Sequence, residues 1–149
     1  MNLNALKRLV RAGEGLRLEF KRSTGELRAA MKTACAFMNG DGGTVLFGVK
    51  PDGSLVGQEV SDKTLREVAQ MMQSFEPPAL IKTERVRLPS GHEVLALQVD
   101  GRSDTVPFTF EGRAYERVAT TTRKMSQGEV RTPSARPHPQ QASLGEPGG

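Results

Sequence analysis

The stretch Ala36-Phe37-Met38-Asn39-Gly40-Asp41-Gly42-Gly43-Thr44-Val45-Leu46-Phe47-Gly48-Val49, AFMNGDGGTVLFGV, decides how this chain folds. Its three glycines within four residues resemble a loop that wraps a phosphate, yet the order of elements around them is reversed. Phosphate cradles run from a strand through glycines into a helix N-terminus, where free N–H groups and the positive dipole end face the anion. Here Leu27, Met31, Ala34 and Met38 repeat at helical spacing before the glycines, and the β-branched, apolar run Thr44–Val49 follows them. No Lys-Ser or Lys-Thr pair succeeds the glycines, so the P-loop pattern fails. The glycines therefore serve the backbone. Asn39 or Gly40 is expected to end the helix in the left-handed conformation, with Gly42 and Gly43 making the turn into a buried strand. An ATP site is not expected.

Outward from this loop the pattern is mixed. Leu3, Leu6, Leu9 and Val10 place an amphipathic helix over 3–11, ending near Gly13. Leu16-Arg17-Leu18-Glu19-Phe20-Lys21 alternates apolar and charged residues, the signature of a half-buried strand with Arg17, Glu19 and Lys21 on its open face. Ser23 and Glu26 have the spacing of a capping box for the helix that leads into the glycines. Beyond Val49, Pro51-Asp52-Gly53-Ser54 signals a turn and Leu55–Gly57 a short return strand.

Ser61 is expected to cap a third helix with a stripe of Leu65, Val68, Met72 and Phe75, stopped by Pro77-Pro78. Strands over 80–88 and 93–99 form a hairpin about Pro89–His92, and 107–124 read as a further hairpin turning at Glu111-Gly112-Arg113. The sum is an α+β domain, a single mixed-sheet unit with about three helices and five to seven strands, over residues 1–126. Residues 127–149, rich in Pro, Gly and Gln, are expected to be a disordered tail, because they hold almost no large apolar side chain.

Composition narrows the chemistry. One cysteine, Cys35, excludes an intrachain disulfide and a cysteine zinc cluster, and two histidines exclude a histidine-rich metal site. The formal net charge is +4. The tail's two arginines and two glutamates cancel, so the excess lies in the domain and suits a polyanionic partner. No signal peptide or long apolar run is present, which points to a soluble, cytoplasmic protein without membrane partners.

The cations fall into two groups. Arg17 and Lys21, followed by Arg22, belong to the first strand, and Arg113, Arg117, Arg123 and Lys124 to the last hairpin. With the hydroxyls of Thr120, Thr121 and Thr122 they are the expected phosphate contacts. Base stacking would rest on Tyr115 or an exposed Phe, a poor platform.

Several segments carry a resemblance in order and spacing. These are Glu14-Gly-Leu-Arg-Leu-Glu19-Phe20-Lys21, the Ala36–Val49 stretch, Asp52-Gly53-Ser-Leu-Val56-Gly57 and Tyr115-Glu-Arg117-Val-Ala-Thr-Thr-Thr-Arg123. Together they resemble the Schlafen AlbA_2 domain, formerly the divergent AAA-4 domain, across about residues 13–126. The resemblance implies a nucleic-acid-binding or transcription-regulator module needing no cofactor, DNA or RNA being its partner. It also implies an alternative: in animal Schlafen proteins a related core is a metal-dependent nuclease acting on RNA through three carboxylates. Two of these correspond to Glu14 and Glu19. The third lies just past the Gly-Val pair, where this chain has Lys50 and Pro51 before its nearest acid, Asp52. A nuclease would hold Mg²⁺ or Mn²⁺ on Glu14, Glu19 and Asp52. A third reading is a self-association module, a homodimer paired through an exposed strand edge.

Overall fold

The computed structural model describes residues 1–79, 81–102 and 107–126. The expected tail over 127–149 lies outside the described residues. Among the described residues three α-helices and eight strands make an α+β domain, the strands divided between two four-stranded sheets.

Helix α1 (Leu3–Arg11) is capped by Asn2, whose side chain accepts the Ala5 N–H. Gly13 then turns the chain with φ 79° toward β1 (Leu18–Lys21). Helix α2 (Leu27–Met38) connects β1 to β2 (Gly43–Phe47), which pairs parallel to β1, as a helical crossover allows. β5 (Glu93–Val99) lies antiparallel to β2 and to β4 (Lys82–Arg87), giving the first sheet the order β1-β2-β5-β4. The second sheet is an antiparallel β3-β6-β7-β8 array of β3 (Phe75–Glu76), β6 (Thr109–Phe110), β7 (Arg113–Val118) and β8 (Thr121–Lys124). Helix α3 (Asp62–Met72) precedes β3.

Register fixes the two faces of the first sheet. Leu18 and Phe20 align with Thr44 and Leu46, while Glu19 and Lys21 align with Val45 and Phe47. Phe20, Leu46, Val94 and Ala96 pack with Leu6 and Val10 of α1. Val45, Phe47, Leu95 and Leu97 pack beneath α2, whose far side meets Phe108, Phe110 and Tyr115 of the second-sheet segment. Both faces carry packed elements, so the strand face expected to be open is largely covered, with Glu19 buried and Lys21 half-buried. Alternation gave the period of β1 correctly but not what lies over it.

Helix α2 is buried almost all round, as a helix between two sheets must be. The glycine loop after it follows the expected order, with one change in who bends. Asn39 stays at φ −82°, and the positive φ falls on Gly42 at 84°. A Cβ on Gly42 would lie 2.6 Å from the Val99 carbonyl oxygen, so only glycine fits. Asn39 acts through its side chain instead. Its Nδ2 donates to the carbonyls of Phe108 (3.0 Å) and Tyr115 (2.9 Å), and its Oδ1 accepts the Phe108 N–H (2.7 Å). These bonds pin the second sheet to the end of α2.

Other boundaries shift for local reasons. A 3-10 turn (Thr24–Glu26) precedes α2, in which Ser23 Oγ accepts from Gly25 N and Glu26 Oε2 from Arg22 N, rather than a reciprocal box. The reciprocal capping box stands at Ser61 and Thr64 of α3. Phe75 keeps the helical spacing of α3 but enters β3, because the helix is capped at Gln73. The last segment is a three-strand meander, Thr121–Lys124 adding a strand to the expected hairpin.

Candidate nucleic-acid interface

Between β1, α2 and the β7–β8 hairpin lies an open basin of about 730 Å³. Lys21 enters it from β1, Lys32 and Thr33 from α2, and Arg113, Arg117, Arg123 and Lys124 from the hairpin, with Thr120, Thr121 and Thr122 along the same wall. Six cations thus face one carboxylate, Glu19. The two cationic groups seen far apart in the sequence meet here, apart from Arg17 and Arg22, which do not line the basin.

The floor is an ionic tie. Arg117 Nη2 donates to Glu19 Oε1 at 2.6 Å, and Lys21 Nζ lies 3.2 Å from Glu19 Oε2. Arg117 also donates to the Gly15 carbonyl from Nη2 (3.0 Å) and Nε (3.2 Å), to the Leu18 carbonyl (3.3 Å) and, through Nη1, to Thr122 Oγ1 (3.0 Å). Its guanidinium lies 5.4 Å from the centre of the Phe37 ring. The Arg117 side chain is only 4% exposed. It joins the last hairpin to the first strand and is not displayed to a ligand. Thr122 Oγ1 in turn lies 2.8 Å from Thr33 Oγ1, extending the tie to α2.

The remaining cations differ in their freedom. Arg123 pairs with Glu116 beside it on the hairpin. Lys32 Nζ stands 5.9 Å over the Tyr115 ring. Arg113 and Lys124 are exposed, and neither has an ion pair among the described residues. Lys32 and Thr33 are the site residues that the sequence reading missed. Their signal is a polar pair on a helix whose only other charged residue is Arg28, one turn earlier and paired with Glu111.

The proposed carboxylate trio does not assemble. Glu14 Oε2 accepts the Phe20 N–H at 2.8 Å, and both Glu19 oxygens are taken by Arg117 and Lys21. Asp52 is exposed, and its Oδ1 closes its own turn by accepting the Ser54 N–H (2.9 Å). Hydrogen bonding to Ser54 holds its carboxyl below the usual range. Asp52 borders a different depression, with Lys7 and Arg11 of α1. Among the described residues no three His, Cys, Asp or Glu side chains are grouped to hold a metal ion. The residues present therefore do not fit a shared divalent cation. Both Glu19 oxygens face cations, where a metal site needs free oxygen ligands.

The six phenylalanines and Tyr115 are all buried, so among the described residues the basin has no stacking platform. Burial also pushes the Cys35 thiol up to about 12, making it an inert core group. Among the described residues no helix is long and apolar enough to cross a membrane.

Two solved structures share this fold at low identity. The N-terminal domain of a protein from Nitrosomonas europaea named as ATP-dependent DNA helicase RecG-related is 22% identical, with a TM-score of 0.57 over 85% of this chain and 94% of that one. The DIP2311 protein from Corynebacterium diphtheriae is also 22% identical, with a TM-score of 0.52. That match covers 77% of this chain and only 23% of the longer protein. A search of the curated proteins found no match. The family model described as Schlafen, AlbA_2 matches residues 14–126, from four residues before β1 to just past β8. The chain belongs to the Schlafen AlbA_2 family.

Proposed function

We propose that this domain binds nucleic acid through the phosphate backbone, with the basin as its contact surface and no cofactor required. The observation that carries this reading is the gathering of six cations from three separate elements around one depression with a single, already neutralised carboxylate. Lys21 and Arg117 are committed to Glu19, and Arg123 faces Glu116. Lys32, Arg113 and Lys124 are left to meet phosphates, and the hydroxyls of Thr120 and Thr121 add donors for phosphate oxygens. With no exposed phenylalanine or tyrosine ring among the described residues lining the basin, contact is with the backbone and carries little sequence preference. Membership of the family supports the reading, as does the fold shared with a domain of a protein named as helicase-related. In this role the domain anchors a regulator to its nucleic acid.

The test is fluorescence anisotropy with labelled oligonucleotides at rising salt. Three phosphate contacts predict a slope of log affinity against log salt of about −2 for a single strand and about −2.7 for a duplex. Arg113→Gln with Lys124→Gln should remove most of that slope. Absence of binding at low salt, or binding indifferent to salt, refutes the proposal.

A further inference from the structure

Besides the basin, the described residues carry a second cationic surface. On α1, Asn4, Lys7, Arg8 and Arg11 recur at i, i+3, i+4 and i+7, one stripe along the side away from Leu6 and Val10. All four are exposed, the helix contains no acid, and none of the three cations has an ion pair among the described residues. α3 differs, since its Lys63 and Arg66 are interspersed with Asp62 and Glu67. Beneath the stripe, Lys7 and Arg11 border a depression of about 480 Å³ that also touches Phe20 and Asp52. α1 precedes residues 14–126, so this surface is not part of the segment that defines the family.

The two cationic surfaces lie on opposite faces of the first sheet but share one strand. Phe20 borders the α1 depression, and Lys21, the next residue of β1, borders the basin. β1 is the edge strand of that sheet, and the Glu14–Gly15 segment lies along its outer side, so that strand and this short segment separate them at the rim. The acids nearby are hydrogen-bonded and keep their charge: Glu14 accepts the Phe20 N–H, Asp52 the Ser54 N–H, and Glu26 the Arg22 N–H with Lys21 Nζ 4.0 Å from its other oxygen. Exposed Arg22 directly follows the edge strand.

We propose that the basin and the α1 stripe are two halves of one track for a single-stranded nucleic acid, which bends around the edge strand β1; the inference rests on the basin reading above. Chain flexibility selects the partner. A single strand can turn around this rim, whereas a duplex, with a persistence length of about 150 bp, stays on one face.

The experiment compares the intact chain with Lys7→Gln/Arg8→Gln/Arg11→Gln, substitutions that remove charge and keep good helix formers. Each is titrated with a strand of about four nucleotides, the lower end of the site sizes that single-strand-binding folds occupy, and one of about twenty. A duplex of the same longer length is the third ligand. The wild-type salt slope should be steeper for the long strand than for the short one by about 2, three further phosphate contacts at about 0.7 each. The triple variant should lose that difference, leave the short strand unchanged and bind the duplex within about twofold of wild type. An unaltered long-strand slope, or equal weakening of all three ligands, overturns the track. Failure of the short strand to bind wild-type protein overturns the basin reading itself, and the track with it.

Discussion

Replacing Arg117 by alanine separates a tie within the fold from a displayed ligand contact. The side chain makes five hydrogen bonds to four residues, reaching Glu19 98 residues away in the sequence. It is 4% exposed and Glu19 12%, so water screens the pair little. Breaking a buried pair by removing one partner costs about 3–5 kcal/mol, because the other charge stays buried. Lys21, 3.2 Å from the second Glu19 oxygen, remains in place and keeps the loss near the lower end, about 3 kcal/mol. For a domain of this size that lowers Tm by about 12 °C. The exposed Arg123–Glu116 pair is the control, and its Arg123→Ala variant should cost about 0.2–1 kcal/mol. Denaturant unfolding, with Glu19→Gln and the double variant completing a cycle, should give a coupling above about 1 kcal/mol. Arg117→Ala within about 1 kcal/mol of wild type, combined with weakened nucleic-acid binding, would refute the reasoning and make Arg117 a direct contact.

Three further outcomes follow from the elements around the glycine loop. Asn39→Ala removes three hydrogen bonds and strands buried backbone groups of Phe108 and Tyr115, so urea titration should show a loss of about 2–4 kcal/mol. Gly42→Ala forces a Cβ into the Val99 carbonyl at a positive φ and should cost more than about 1 kcal/mol by thermal melting; a neutral result would mean the loop is not held as described. Cys35 should resist iodoacetamide in the native protein and react once urea unfolds it. Its folded pKa is raised by burial above the unfolded value of 9.0, so its contribution is complete below pH 9 and is lost as pH rises toward about 12. Chemical denaturation across that range should show stability falling, while Cys35→Ala flattens the decline.

The sequence was most legible where local chemistry governs. The order of helix, glycines and strand about Asn39–Gly43 settled that the loop turns the chain, and Ser61 marked the start of α3 as expected. Long-range facts were not legible. The alternation of Leu18 to Lys21 fixes which residues share a face, yet the cover over Glu19 comes from a hairpin nearly a hundred residues later. Arg117 therefore read as a surface cation, although its fold contacts consume it. Phe75 continued the stripe of α3 because spacing alone cannot register that the chain has left the helix at Gln73. The family resemblance carried the order of Glu14, Glu19 and Asp52 correctly but not their separation, since Asp52 follows β2 on the α1 side of the sheet. Lys32 had a signal, one of two charges on a largely apolar helix, whose meaning depended on what the other elements left uncovered.

The most direct test of the basin is amide chemical-shift mapping of the isotope-labelled protein during titration with a short oligonucleotide. Shifts are expected to be confined to Lys21, Lys32, Thr33, Arg113, Tyr115 and the 120–124 segment and to fade as salt is raised. Shifts centred on the β4–β5 hairpin or on α3, or none at low salt, would contradict the basin as the contact surface.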